Sequence, residues 1–199
     1  PTRRSSDLNN ITEKSPARST RAVKLENILQ AKPGEQLKCV LVEGPPGIGK
    51  STLAWQVCNR WGKRELFQQY STVLLLPLRD QRVQGATCVE NLFISTDTKL
   101  QERVRKEVSQ ENWDGKDTLI ILEGLDELPS HLLSEASIFT ALLSGEALPQ
   151  ATILMTSRPS ATEQLQRNWK QSISRHFEIS GFTEENVDKY AQSVLSDKQ

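Results

Sequence analysis

The sequence predicts an α/β domain, a parallel sheet covered by helices on both faces, on three observations. Short continuous apolar runs alternate with helix-patterned segments along most of the chain, and such runs read as fully buried strands. Repeated strand–helix order with apolar strands gives a parallel sheet between two helical layers. A glycine-rich turn joins the first strand to the first long helix, at the carboxyl end of the sheet, where right-handed crossovers leave the ligand crevice.

The elements follow in order. Pro1–Thr20 is rich in Ser, Thr, Arg and Asn with few apolar residues, and is expected to be a disordered tail. Its first eight residues, Pro1–Leu8, resemble an in-frame translation of a sequencing adapter and are set aside; a genuine tail is the alternative. From Ala22 a helix is expected, with Leu25, Ile28 and Leu29 on one face, ended by Pro33-Gly34. Cys39–Val42 is the first strand, and Thr52–Trp61 a helix stopped by Gly62. Val73–Leu76 is the second strand. Val89–Val108 reads as mostly helical with a loop near Ser95–Asp97. Thr118–Leu122 is the third strand, followed by one amphipathic helix over His131–Leu143. Thr152–Met155 is the fourth strand, Ala161–Trp169 a helix and Arg175–Ile179 the fifth strand. A last helix is expected from the N-cap Thr183, with Glu184 and Glu185 favouring its dipole. No internal repeat or heptad interrupts this order. Residues 21–199 thus read as one domain behind a tail.

Composition narrows the function classes. The 199 residues carry 25 basic and 25 acidic side chains, which leaves no net electrostatic footprint for nucleic acid or an anionic membrane. No apolar run approaches the roughly 20 residues that span a bilayer. Pro1–Asn10 lacks the apolar core of a secretory signal. Cys39, Cys58 and Cys88 are widely spaced without metal-ligand spacing and read as buried thiols of a reducing compartment, the cytosol being the expected address. The first residue is Pro rather than Met, so the chain reads as a fragment.

Three motifs carry chemistry. Gly44-Pro45-Pro46-Gly47-Ile48-Gly49-Lys50-Ser51 matches the phosphate-binding pattern G-x-x-x-x-G-K-[ST] between a strand and a helix. Glycines let the loop curl with its amides inward, and the helix that opens with Lys50, Ser51 and Thr52 offers its N-terminus to an anion. Lys50 can reach β- and γ-phosphates, and Ser51 offers a hydroxyl to Mg2+. The apolar strand Leu119–Leu122 ends in Glu123-Gly124-Leu125-Asp126-Glu127, an acidic cluster that can hold the metal shell and orient a water. The run Ile153–Pro159 ends a strand in small polar residues and Arg158, which would point at a γ-phosphate if that strand lies beside the phosphate-loop strand.

Together these segments resemble the NACHT family of signal-transducing NTPases, which includes the animal NOD-like receptors. The matching residues are Gly44–Ser51, Glu123–Leu128 and Thr156-Ser157-Arg158-Pro159, with Gly181–Glu185, Val187 and Tyr190 resembling the segment after the fifth strand. The resemblance implies a three-layer P-loop NTPase with a five-stranded parallel sheet in the order 5-1-4-3-2. It implies an ADP-held switch that exchanges to ATP and self-associates through this domain in a full-length protein; Mg2+ is expected with the nucleotide, and ATP hydrolysis is expected to be slow. Lys50 and Ser51 would serve phosphate and metal, Asp126 and Glu127 the metal shell and water, and Arg158 the γ-phosphate. The family usually has Asp where this chain has Glu123, and the longer side chain displaces the metal-side carboxylate. A non-hydrolysing scaffold and a nucleotide kinase-like phosphotransferase are the alternatives. Adenine comes from the resemblance only. His131 and His176 read as structural.

Overall fold

The computed structural model describes residues 11–14, 21–94, 98–108, 113–134, 136–162 and 172–180. Seven strands form one sheet: β1 Ile11–Glu13, β2 Arg21–Val23, β3 Cys39–Glu43, β4 Thr72–Pro77, β5 Thr118–Glu123, β6 Thr152–Ser157 and β7 Ile173–Ile179. The helices with both ends among the described residues are α1 Lys50–Gly62, α2 Gln81–Gln84, α3 Thr98–Val108, α4 His131–Ser134 and α5 Ile138–Ser144, and residues 159–162 are also helical. Neighbours across the sheet run β2-β1-β7-β3-β6-β5-β4. The pairs from β7 to β4 are parallel, and the two involving β1 are antiparallel. The sheet is therefore mixed and seven-stranded, where five parallel strands were expected.

Period-two alternation explains why the strands read as unbroken apolar runs. In β3, Leu41 faces one layer while Val40 and Val42 face the other. In β5, Ile120 and Leu122 face the first, Leu119 and Ile121 the second. Both faces must therefore be apolar, since each buries half of every strand. The first layer is closed by α5 through Phe139, Leu142 and Leu143. The second is closed by α1 through Leu53, Ala54 and Val57.

Two local expectations are corrected. The helix expected from Ala22 is instead β2, followed by a 3-10 turn at Leu25–Asn27. Leu25, Ile28 and Leu29 do share a buried face, but a helix this short is marginal without flanking turns. The chain pairs with β1 instead, and Ile11–Glu13 is a strand within the stretch expected to be disordered. β1 lines up on the open edge of β7, with Ile11 opposite Ile179. Arg175 fixes that edge: its Nε is 3.0 Å from Glu13, and its Nη1 donates to the carbonyls of Asn27 and Gln30.

The single helix expected over His131–Leu143 is two short ones. Ser137 is the reason: its hydroxyl accepts from the Thr140 amide while Thr140 Oγ1 accepts from the Ser137 amide, a capping box that starts a new helix. Val89–Leu92 is a 3-10 turn rather than the start of a long helix. The expected loop at Ser95–Asp97, most of the helix over Ala161–Trp169 and the helix from Thr183 lie outside the described residues.

Candidate functional site

The phosphate-loop strand β3 sits between β6 and β7, so the segments containing Gly44, Arg158 and Ile179 leave the sheet side by side. Gly44 donates its amide to the Ser157 carbonyl at 3.2 Å. A Cβ at Gly44 would stand 2.8 Å from Ile48 Cγ2 and 3.1 Å from the Ile179 carbonyl, so the loop closes this tightly only with glycine there. Gly49 has φ +107° and serves as the N-cap of α1. The Leu53 amide makes its bond to the Gly49 carbonyl, and the amides before it have no acceptor within the helix. A helix end with free amides can accept an anion, and this one opens a helix of 13 residues.

Pro46, Gly47, Gly49, Lys50, Ser51 and Thr52 line one side of a cleft of about 280 Å³. Glu123, Gly124, Asp126, Glu127 and Arg158 line the other. The candidate residues of all three sequence motifs thus face one space; Gly44, Pro45 and Ile48 form the loop behind it. Lys50 Nζ donates to the carbonyls of Gly44 at 2.8 Å and Pro45 at 3.0 Å. Burial lowers its pKa, opposed by Asp126, Glu123 and Glu127 and assisted by Arg158. Ser51 Oγ donates to Glu123 Oε1 at 2.5 Å, the short length of a bond to a carboxylate.

After β5 the chain makes a left-handed turn at Gly124 and a 3-10 turn at Leu125–Glu127, returning Asp126 and Glu127 to the cleft. Gly124 donates its amide to Thr156 Oγ1 at 3.0 Å, which ties this turn to β6. Asp126 accepts from the Arg158 amide at 3.1 Å and lies 2.8 Å from Arg158 Nε. Both Asp126 oxygens therefore serve Arg158, an arrangement the sequence did not suggest. Among the described residues, no group of three or more His, Cys, Asp and Glu side chains gathers to hold a metal. The Ser51 hydroxyl and Glu123 carboxylate are hard oxygen donors at the phosphate end of the loop, a set that fits a Mg2+ completed by phosphate and water. Among the same residues, no helix is long and apolar enough to cross a membrane.

Sequence reasoning missed Glu43. It ends an apolar strand just before the loop and is 3% exposed. It pairs with Lys14, accepts from Thr162 Oγ1 at 2.7 Å and lies 3.2 Å from His176 Nε2. The available signal was an acidic residue at the end of a buried strand, where a solvated turn is the usual reason. Burial alone would raise its pKa; His176, Lys14 and Thr162 more than offset that and hold it at about 2 against an ordinary 4.5. A depressed carboxylate stabilises the fold above its unfolded pKa, and that contribution is lost as pH falls through the folded value. The stability gap between the unaltered chain and Glu43→Gln should therefore shrink as pH falls from 4.5 towards about 2. Urea midpoints across that range check it, and a gap that ignores pH would contradict it.

The family model of the NACHT domain matches residues 38–198. The chain is 26% identical over 180 residues to the bovine NACHT, LRR and PYD domains-containing protein 3, covering 83% of this chain and 17% of that protein. It is 29% identical over 176 residues to human NACHT, LRR and PYD domains-containing protein 12, covering 78% and 16%. It is 26% identical over 170 residues to human NLR family CARD domain-containing protein 3, covering 78% and 15%. The chain thus spans less than a fifth of the length of these relatives. A solved structure described as that of C. elegans PCH-2 aligns with a TM-score of 0.38 at 15% identity, covering 80% of this chain and 39% of that one. With the family model covering most of its length, this chain belongs to the NACHT domain family.

Proposed function

We propose that this domain binds ATP or ADP with Mg2+ and acts as a nucleotide-dependent oligomerisation switch with slow ATP hydrolysis, as part of an innate-immunity-type sensor. The observation that carries this reading is the convergence of Lys50, Ser51, Glu123, Asp126, Glu127 and Arg158 on one cleft at the N-terminus of α1. The amides of Gly47 and of Gly49 to Thr52 offer a phosphate chain its donors, and Lys50 adds a point charge. Ser51 and Glu123 hold Mg2+, which when bound neutralises phosphate charge. Glu127 orients the attacking water. Arg158, braced by Asp126, reads whether a γ-phosphate is present. The family membership supports a signalling role over a metabolic one.

One observation favours a second reading, a scaffold that binds nucleotide without hydrolysing it. Glu123 carries one methylene more than the Asp usual in the family and already meets Ser51 directly. Mg2+ tolerates little deviation from octahedral geometry, so a displaced carboxylate slows turnover. Glu123→Asp is the comparison. We expect the unaltered chain to turn over ATP slowly and Glu123→Asp to raise the single-turnover rate by about tenfold, equivalent to roughly 1.4 kcal/mol of barrier. No turnover in either protein, with assembly indifferent to nucleotide, would establish the scaffold. Mass spectrometry of nucleotide released from the purified protein adds an independent check, with ADP the expected occupant.

A further inference from the structure

Glu43 lines no part of the cleft, yet it is joined to both arms that would grip a triphosphate. It is the last residue of β3 and is followed directly by Gly44, whose carbonyl accepts from Lys50. Its Oε2 accepts the Thr162 hydroxyl at 2.7 Å, a proton shared with the Pro159 carbonyl at 2.8 Å. Thr162 lies in the first helical turn after Arg158: its amide and that of Ala161 donate to the Arg158 carbonyl at 3.3 and 3.1 Å. Arg158 is therefore held twice, through its side chain and amide by Asp126 and through its carbonyl by a turn that Glu43 pins. The other Glu43 oxygen meets Lys14, which also lies 3.3 Å from Glu178. Thr162 and Glu43 are each 3% exposed, so this bond is shielded from competing water.

We propose that Glu43 is a positioning residue for γ-phosphate discrimination: through Thr162 it fixes the turn that carries Arg158 relative to the phosphate loop. The preference for triphosphate over diphosphate then depends on a carboxylate that touches neither. This rests on the reading of Arg158 as the γ-phosphate sensor. A purely structural carboxylate would, when altered, weaken both nucleotides alike or neither. A group acting through Arg158 alters the triphosphate alone, because only the γ-phosphate meets that arginine.

Calorimetry on the whole chain with Mg2+ separates these outcomes, using ADP and a non-hydrolysable ATP analogue. Glu43→Gln and Thr162→Val should each lower affinity for the analogue by about five- to tenfold, the effect of one lost or misaligned hydrogen bond. Affinity for ADP should stay within about twofold. Equal weakening of both ligands, or no change in either, overturns the proposal. Should Glu43→Gln fail to fold, Glu43→Asp, which draws the carboxylate back by one methylene and leaves the Thr162 contact to the Pro159 carbonyl in place, decides the matter together with Thr162→Val. Arg158→Ala is the reference. If it shifts the ratio of affinities while Thr162→Val does not, only the positioning role falls. If Arg158→Ala itself leaves the ratio unchanged, the sensor reading falls and this proposal with it.

Discussion

Replacing Lys50 by alanine should lower affinity for ATP by about one hundredfold while leaving the fold intact. The ammonium is the one cation within the phosphate loop, and hydrogen bonds from a charged donor contribute about 1.5–3 kcal/mol each. At about 1.4 kcal/mol per factor of ten, one or two such bonds account for a loss of that size. The fold should tolerate the change because, among the described residues, the Lys50 ammonium bonds the carbonyls of Gly44 and Pro45, at the partly exposed end of the loop. Titration calorimetry measures the affinity, and far-ultraviolet circular dichroism with a melting curve measures the fold. Undiminished ATP binding by Lys50→Ala would remove the basis for the proposed function.

Phe139→Ala should have the largest effect on stability, about 3–5 kcal/mol. Phe139 is fully buried in α5, within the core cluster that contains Leu41, Leu122 and Met155 of three central strands. Removing the ring leaves a cavity that those strands cannot close without breaking sheet register. For a domain of this size the melting temperature should drop by roughly 10 °C. Trp55→Ala is the matched control: that ring is 64% exposed on α1, so its loss should fall within about 0.5 kcal/mol. Similar melting shifts for the two variants would mean that the layer under α5 is not the packed core described above.

The central strands and the cleft were legible because each leaves a local mark. Val40 to Val42 and Leu119 to Leu122 are apolar on both faces, which only a strand between two helical layers requires. The loop from Gly44 to Ser51 is contiguous, so its spacing alone reveals it. What the sequence did not disclose depends on distant partners. Ile11–Glu13 has no apolar run and becomes a strand because β7 offers an edge and Arg175 a partner for Glu13. The pairing of Asp126 with Arg158 left no mark because it spans 32 positions. Glu43 was overlooked for the same reason: Lys14, Thr162 and His176 come from three separate parts of the chain. The break between α4 and α5 was the exception, a local signal in Ser137 and Thr140 that the longer amphipathic pattern obscured.

The position of β3 also bears on how this domain emerges from a ribosome. Both strands that flank it, β6 and β7, are synthesised more than a hundred residues later, and Thr12 meets Glu178 across 166 positions. A nascent chain that already contains Gly44 to Ser51 therefore has no sheet on which to seat that loop. Assembly must wait for the carboxyl-terminal strands, and closure of such distant pairings is slow. Until then Val40, Leu41 and Val42 lack the neighbouring strands that cover them, and unpaired apolar strands of this kind favour aggregation over folding.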